Sequence, residues 1–577
     1  MALWLGIGSV SGGGSVGARA ALPDPSTLQQ PHTLDWYRNN FPPGRIPVGN
    51  VVCFAEGTDP KIMNYLNSIL YPPPDDLRYN LTGRWSGTQG TPRALTWSLV
   101  PDGTPIPGDT GEPSSLFSTL DSQFSAQGGR ATWVLRFQQC FDRWEELTGL
   151  DFTRITVGGN DWDDGAAWGS TGSATRGDIR ISMHEIDGPS NVLAYNGLPG
   201  SGGDMVIDRA DNWGSSTNLN RFLRNTVMHE SGHGIGMLHV CPQVSSKLME
   251  PGLNTQFDGP RHDDIRGAQR HYGDIYGNNN TAGAATNIGV VEVGSPIIVG
   301  TVPPPISGTT PAGTATTSID NSTESDYFRF TVNGPRLASV TVNPLGGTYD
   351  SCSQGATCPS GCTINSMAIA NLNVQIIDTN GATVLGTAAA NGVGLSETLS
   401  NVNLPAAGNY FVRVYASNTI TQAQFYDVNL SVTSPCNTPA INPIGNVAAL
   451  CGTAFNLSAG AGGTPPFTWS LINAPAGMTI NSSGQVSWPN ALPSAAPYAV
   501  TVRADSQCGG GFDTEPLNLT VAFGDFNGDG LVTSADVGPF VGHLLGLLAD
   551  RLCAADLNVS GTADGDDVQL FVDELIP

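Results

Sequence analysis

The run His229-Glu230-Ser231-Gly232-His233-Gly234-Ile235-Gly236-Met237-Leu238-His239 constrains this chain more than any other feature. Histidines four residues apart sit one above the other on a helix, so the imidazoles of His229 and His233 aim at one point. Glu230 adjoins the first of them, where its carboxylate reaches a molecule held at that point. Gly236 lets the helix stop and the chain turn sharply. The turn brings a third imidazole, His239, to the same place. Three neutral imidazoles leave a fourth position open, the arrangement of a catalytic zinc rather than a closed structural one.

The other sequence features set limits around this run. A chain of 577 residues holds three to five domains at ~100–200 residues each. With 25 basic and 50 acidic side chains the net charge is −25, which argues against a nucleic-acid partner, because phosphate neutralisation needs clustered Lys and Arg. No apolar run after the N-terminus reaches the ~18 residues of a transmembrane span. The apolar start MALWLGIGSV and the small-residue stretch Ala18-Arg19-Ala20 read as a signal remnant over residues 1–20. The cluster Cys352, Cys358 and Cys362 reads as a disulfide region, and so as a mark of an oxidising compartment.

Residues 21–80 are Pro-rich with little periodicity and read as an N-terminal pro-segment. Residues 94–100 read as a strand. Residues 131–147 place Val134, Phe137, Cys140, Phe141 and Trp144 at helical spacing. Residues 178–182 read as a strand and 221–238 as a second helix. Gly277-Asn278-Asn279-Asn280 reads as a linker closing a catalytic region at 81–277. Short alternating runs between turn residues then predict two β-sandwiches, at 278–434 and 435–522. Residues 523–577 hold two Asp-rich loops, each followed by an apolar helical stretch.

The histidine run, Leu248-Met249-Glu250-Pro251 and the stretch Asp263–Gly273 together resemble the metzincin metalloproteases, and more closely the matrixins. The resemblance implies an α+β catalytic domain, a twisted sheet with a zinc-binding helix. It implies zinc on His229, His233 and His239, Glu230 as general base in peptide-bond hydrolysis, and Met249 packed beneath the ligands. It also implies calcium: carboxylates from Asp187, Asp208 and Asp211, carbonyls from Gly188, Ser190 and Val192, and a second site from Gly200, Gly202 and Asp204. Tyr195 and Val206 stand where matrixins carry histidines for a structural zinc, so none is expected. A Pro-Arg-Cys-Gly motif is missing, and Cys53 lies in Asn50-Val51-Val52-Cys53-Phe54. Inhibition by residues 21–80 therefore needs another route.

Residues 525–536 put oxygen-bearing side chains at loop positions suited to calcium: Asp525, Asn527, Asp529, Thr533 and Asp536, with the carbonyl of Leu531 and a turn at Gly530. A second loop repeats this with Asp556, Asn558, Ser560, Gly561 and Asp567. The pair resembles dockerin modules, which implies a cohesin-like docking partner or surface scaffold; a purely structural calcium module is the competing view. The two β regions resemble bacterial pre-peptidase C-terminal and immunoglobulin-like domains, taken as spacers. The chain is thus expected to be a secreted or surface-associated bacterial zinc endopeptidase that uses Zn²⁺ and Ca²⁺ and acts on proteins or peptides. The alternative is a surface adhesion or scaffold protein with a non-catalytic metzincin platform; an intact Glu230 speaks against it.

Overall fold

The structure, a computed structural model, describes residues 31–47, 49–70, 81–108, 110–300, 316–354, 357–507 and 511–576. The signal remnant at 1–20 lies outside them. The chain divides into two compact units, Met1–Thr433 and Ser434–Pro577.

The larger unit is built on a six-stranded sheet. Its strands are β1 (Asn50–Phe54), β2 (Arg93–Leu99), β3 (Leu150–Arg154), β4 (Ile179–His184), β5 (Val192–Gly197) and β6 (Met205–Asp208), in the order β1-β5-β6-β4-β2-β3. Strand β5 runs antiparallel to β6, and β1 antiparallel to β5; the remaining pairs are parallel. Every residue of β4, β5 and β6 is buried, as expected for a sheet covered on both faces. The helices are α1 (Leu34–Asn40), α2 (Pro60–Leu70), α3 (Leu116–Gln123), α4 (Arg130–Leu147), α5 (Arg221–Gly234) and α6 (His262–Tyr272). The spacing read in 131–147 is the buried face of α4: Phe137, Cys140, Phe141 and Trp144 pack with Leu95, Trp97, Ile179 and Val227. Trp144 Nε1 donates to Ser231 Oγ at 3.0 Å, tying α4 to the histidine helix.

Two expectations are corrected. The helix over 221–238 stops at Gly234, because Ile235 and Gly236 already hydrogen-bond as a tight turn. The described part of 21–80 is regular: α1, β1 and α2 fold onto the sheet. Each is too short, between Pro and Gly breaks, for periodicity to show. Tyr37, Phe41, Ile46, Val52, Phe54, Ile62, Met63, Leu66 and Leu70 form a second core with Ile106, Ile186, Val192, Tyr195 and Val206. The two positions where matrixins carry histidines are here part of an apolar layer covered by the N-terminal segment.

After α6 the chain enters a β-sandwich. One sheet orders Thr317–Ile319, Gln424–Thr433, Arg336–Leu345 and Glu397–Leu404, with Ile297–Val299 also on Gln424–Thr433. The other orders Val384–Ala388, Leu372–Ile377, Gly408–Ala416, Ser325–Val332 and Thr286–Val290. Alternate residues of both, among them Phe328, Phe330, Val340, Val342, Val374, Ile376, Val412 and Leu430, share one core. The stretch read as a linker is packed: Asn279 is buried, and its carbonyl accepts from Tyr327 N at 2.9 Å.

Four carboxylates, Asp274, Asp320, Glu324 and Asp326, are buried at this junction. Burial raises all four, Asp274 to about 7 and Asp320 to about 6, and neighbouring carboxylates add to it for Asp274, Glu324 and Asp326. A carboxyl raised above its unfolded value of ~4 binds its proton on the folded side first, so it stabilises at low pH and less as pH climbs through the folded values. Lowering pH from about 8 to about 6.5 is therefore expected to raise the melting temperature of this unit in chelating buffer. The buried histidines, neutral in the folded chain but beginning to charge in the unfolded one near pH ~6.5, offset only part of this rise. A calorimetric melting temperature that is flat or falls over that range contradicts the assignment.

The smaller unit pairs Gly445–Ala448, Phe512–Thr520, Tyr498–Ser506 and Phe467–Ile472 in one sheet, and Phe455–Ser458, Gln485–Trp488 and Thr479–Ile480 in another. Helices α7 (Val537–Leu544), α8 (Leu552–Ala555) and α9 (Asp567–Leu575) follow. Phe526, Phe540 and Phe571 join the core of Trp488, Val500 and Leu517, and a Cys451–Cys553 disulfide links the two parts.

Candidate metal centre

Helix α5 presents His229 and His233 on one face, and the turn after it returns His239. The Nε2 atoms of His229 and His233 are 3.0 Å apart, and those of His229 and His239 3.2 Å. Nitrogens bound at ~2.0–2.1 Å to a tetrahedral zinc stand roughly 3.3 Å from one another, so the triad fits that ion. The Nδ1 atoms of His229 and His233 lie 2.7 Å from the carbonyls of Leu248 and Met237. That pairing holds the proton on Nδ1 and leaves the Nε2 lone pair for a metal. Burial lowers all three imidazoles, His229 to about 4, which keeps them neutral and able to ligate. Glu230 is fully buried, and neither carboxylate oxygen has a partner in good hydrogen-bond geometry. Burial pushes its carboxyl well up. A buried acid without a partner in good geometry, beside three converging imidazole nitrogens, is a donor set that suits a cation.

The ring positions are fixed from below. A Cβ on Gly232 would stand 2.5 Å from Met249 Sδ, so glycine is needed there for Met249 to lie under the helix between the two histidines. Gly236 adopts φ +100 at the turn. The loop carrying Met249 closes on two carboxylates. Glu250 accepts from Val244 N at 2.9 Å, Ser245 N at 2.8 Å and Ser246 N at 2.9 Å, with the buried Lys247 3.7 Å away. Asp264, on α6, accepts from Leu248 N at 2.7 Å and Met249 N at 3.0 Å. The Asp264 role is not visible in the sequence; its only signal is its place in the stretch that resembles the matrixin closing helix.

The groove over the metal centre runs between the edge of β5 and Pro251–Leu253, and β1 lies in it. Cys53 pairs with Ala194 on β5. On the other side Phe54 N donates to Pro251 O at 3.1 Å, and Leu253 N to Phe54 O at 2.7 Å. A potential ligand atom of each of Cys53, His229 and Glu230 lies within 4.8 Å of the others. Cys53 is buried, and burial and then Glu230 push its thiol well up. Sequence reasoning looked for a known motif around Cys53 and found none. The β-branched and aromatic run Val51-Val52-Cys53-Phe54, bounded by Gly49 and Gly57, is the signal that could have found the strand.

Of the residues expected to hold calcium, Asp187, Asp208 and Asp211 come together. Asp208 Oδ2 accepts from Asp187 N at 3.0 Å, Asp211 Oδ1 from Ser190 N at 2.9 Å, and Asp187 Oδ2 from Val192 N at 3.3 Å. Asp187 Oδ1 and Asp211 Oδ2 are buried without a partner. Burial raises all three carboxyls, Asp208 to about 6 and Asp211 to about 7. Gly188 adopts φ +87 in the intervening turn. Gly200 lies in a short 3-10 turn, Pro199–Ser201, capped by Gly202. Asp204 accepts from the backbone N–H of Arg180 at 2.9 Å, and burial raises its carboxyl to about 7.

The two C-terminal loops are wired alike. Asp525 accepts from Gly528 N at 2.6 Å and Gly530 N at 2.8 Å, and Asp556 from Ser560 N at 2.8 Å and Gly561 N at 2.6 Å. Asp536 accepts from Phe526 N at 2.9 Å and Thr533 N at 2.9 Å, and Asp567 from Asn558 N at 3.0 Å and Asp564 N at 2.9 Å. The first and last acids point inward, while Asn527, Asp529, Leu531, Asn558 and Ser560 lie at the surface or half-buried.

Residues 122–273 match the family model described as Matrixin. Stromelysin-1 of Mus musculus is 34% identical over 137 residues, covering 22% of this chain and 26% of that one. Interstitial collagenase of Oryctolagus cuniculus is 33% identical over 141 residues, covering 24% and 27%. Neutrophil collagenase of Homo sapiens is 30% identical over 151 residues, covering 24% and 28%. The chain spans about a quarter of the length of these curated relatives. Residues 122–273 thus form a matrixin domain, and the resemblance read in the sequence is borne out there. No helix among the described residues is long and apolar enough to cross a membrane.

Proposed function

We propose that this chain is a zinc-dependent endopeptidase. The observation that carries it is the convergence of His229, His233 and His239 on one point, with a fully buried Glu230 beside His229 and no partner in good hydrogen-bond geometry for either of its oxygens. Zinc bound there would polarise the scissile carbonyl and activate water. Glu230 accepts the proton from the attacking water and returns it to the leaving amine. The free edge of β5 and the main chain of Pro251–Leu253 would hold an extended peptide between them by strand pairing, as they hold β1.

Calcium at Asp187, Asp208 and Asp211 would neutralise three buried acids, and at the C-terminal loops it would join carboxylates already turned inward. The Cys241–Cys358 and Cys352–Cys362 disulfides support an extracellular setting. The duplicated C-terminal loops support docking to a cohesin-like partner. The strand over the metal centre favours a second reading, a surface scaffold whose metal site does no chemistry.

The test is casein hydrolysis by the chain, folded intact and then cut within residues 71–80, with zinc content measured in parallel. Chelator-sensitive hydrolysis with about one zinc per chain is expected. Zinc without hydrolysis, in protein freed of residues 31–70, would favour the scaffold.

A further inference from the structure

The turn at residues 186–192, which leads into β5, is held from two sides. On one side, two of the acids expected to hold calcium fix its main chain: Asp208 accepts from Asp187 N at 3.0 Å, and Asp211 from Ser190 N at 2.9 Å. On the other, the N-terminal segment grips the same turn. The Tyr37 hydroxyl, on α1, donates to Asp187 Oδ2. Arg45 Nη2 donates to Ile186 O at 3.3 Å, and Asn191 Nδ2 donates to His32 O at 3.2 Å. Ala55 N, directly after β1, donates to Asn191 O at 2.7 Å. Cys53, the one cysteine of the segment, is a free thiol, so these contacts and the apolar core hold it without a covalent tie.

The turn needs such support. Ser190 and Asn191 both take positive φ, +69 and +65, a conformation uncommon outside glycine. Asp187, Asp208 and Asp211 are buried together, and Asp187 Oδ1 and Asp211 Oδ2 have no partner. A cation among the acids would cancel their repulsion and fix the turn. A turn so fixed offers Asp187 Oδ2, Ile186 O and Asn191 to the segment in the arrangement that Tyr37, Arg45, His32 and Ala55 meet. A docked segment in turn holds Asp187 in place for the cation. Two groups that favour one arrangement of a shared turn bind cooperatively, each raising the affinity of the other by the same factor.

We propose that calcium at Asp187, Asp208 and Asp211 latches the N-terminal segment onto the sheet, so that loss of calcium frees the groove that β1 fills. The inference rests on the calcium reading of these three acids. Tyr37 is the contact through which ion and segment are coupled, because its hydroxyl meets a carboxylate of the site directly. Coupling between two sites typically amounts to about 5–150-fold in affinity. A chain cut within residues 71–80 therefore keeps its segment where calcium is plentiful and sheds it where calcium is scarce.

The experiment uses the full chain, folded intact and then cut within residues 71–80, in saturating calcium or in calcium-depleted buffer with zinc held constant. Gel filtration with mass spectrometry follows departure of the N-terminal fragment, and metal analysis gives bound calcium. Departure is expected to be roughly 5–150-fold slower in calcium. Asp211→Asn is expected to bind less calcium and to lose this dependence. Tyr37→Phe is expected to speed departure about tenfold in calcium, the loss of one hydrogen bond to a charged group, and much less without calcium. Equal departure with and without calcium in the wild type would overturn the proposal. So would faster departure in calcium, or a calcium effect that survives Asp211→Asn and so belongs to another site. A Tyr37→Phe chain that departs faster by the same factor in both buffers would overturn the coupling through Tyr37 and make it a packing residue. Should Asp211→Asn fail to fold, Tyr37→Phe, which removes a single hydroxyl, decides. Bound calcium equal in wild type and Asp211→Asn would overturn the calcium reading itself and is told apart from the other outcomes.

Discussion

Glu230→Gln is expected to lower kcat/KM for a peptide substrate by about 10²–10⁴-fold, the usual contribution of a positioned acid–base group, with zinc still bound. The amide has the shape of the carboxylate but cannot accept a proton from water. The variant also removes a buried acid that lacks a partner in good geometry, so its metal-free melting temperature should not fall. That separates chemistry from folding: a drop in rate with intact metal content and intact fold assigns the base. Initial rates on an internally quenched peptide, alongside metal analysis, make the check. An unchanged rate would move the general base elsewhere and remove the main argument for hydrolysis.

The intact chain is expected to be nearly silent toward protein substrates until β1 leaves the groove. β1 takes the hydrogen bonds on both sides that an incoming peptide would need. A tethered segment competes at an effective concentration on the order of mM. A strand that would bind at ~10 µM alone therefore suppresses the open site about 100-fold. Protein folded intact and then cut within residues 71–80 should gain activity after a lag. The lag reflects departure of the segment, because α1 and α2 are held by their own apolar core. Peptide hydrolysis followed from the moment of the cut decides the matter. Equal rates for intact and freed protein would show that β1 does not block the groove.

The convergence of the histidines was legible because it is local: His229, Glu230 and His233 fall within one helical turn and His239 just past the next bend. Helix α4 was legible for the same reason, since one face repeats over 18 residues. What escaped depends on long-range pairing. β1 is a five-residue strand whose partner lies about 140 residues on, and no local period records that. The three cysteines Cys352, Cys358 and Cys362 showed that a disulfide region exists there. They did not show that Cys358 reaches Cys241, because connectivity follows from the fold.

If the proposed activity holds, the apolar layer beneath α1 and α2 sets how long the opened protein lasts. Nine N-terminal side chains are buried in it, and at ~1.5–3 kcal/mol each their gross burial contributes on the order of 20 kcal/mol before the entropy of ordering the segment is subtracted. Releasing the segment uncovers Ile186, Val192, Tyr195 and Val206 just as the groove opens. Activation and ageing then begin with the same event. The freed enzyme should deliver a burst of cleavage and decay over time, so the dose of proteolysis is set by how fast the uncovered sheet fails rather than by a later inhibitor.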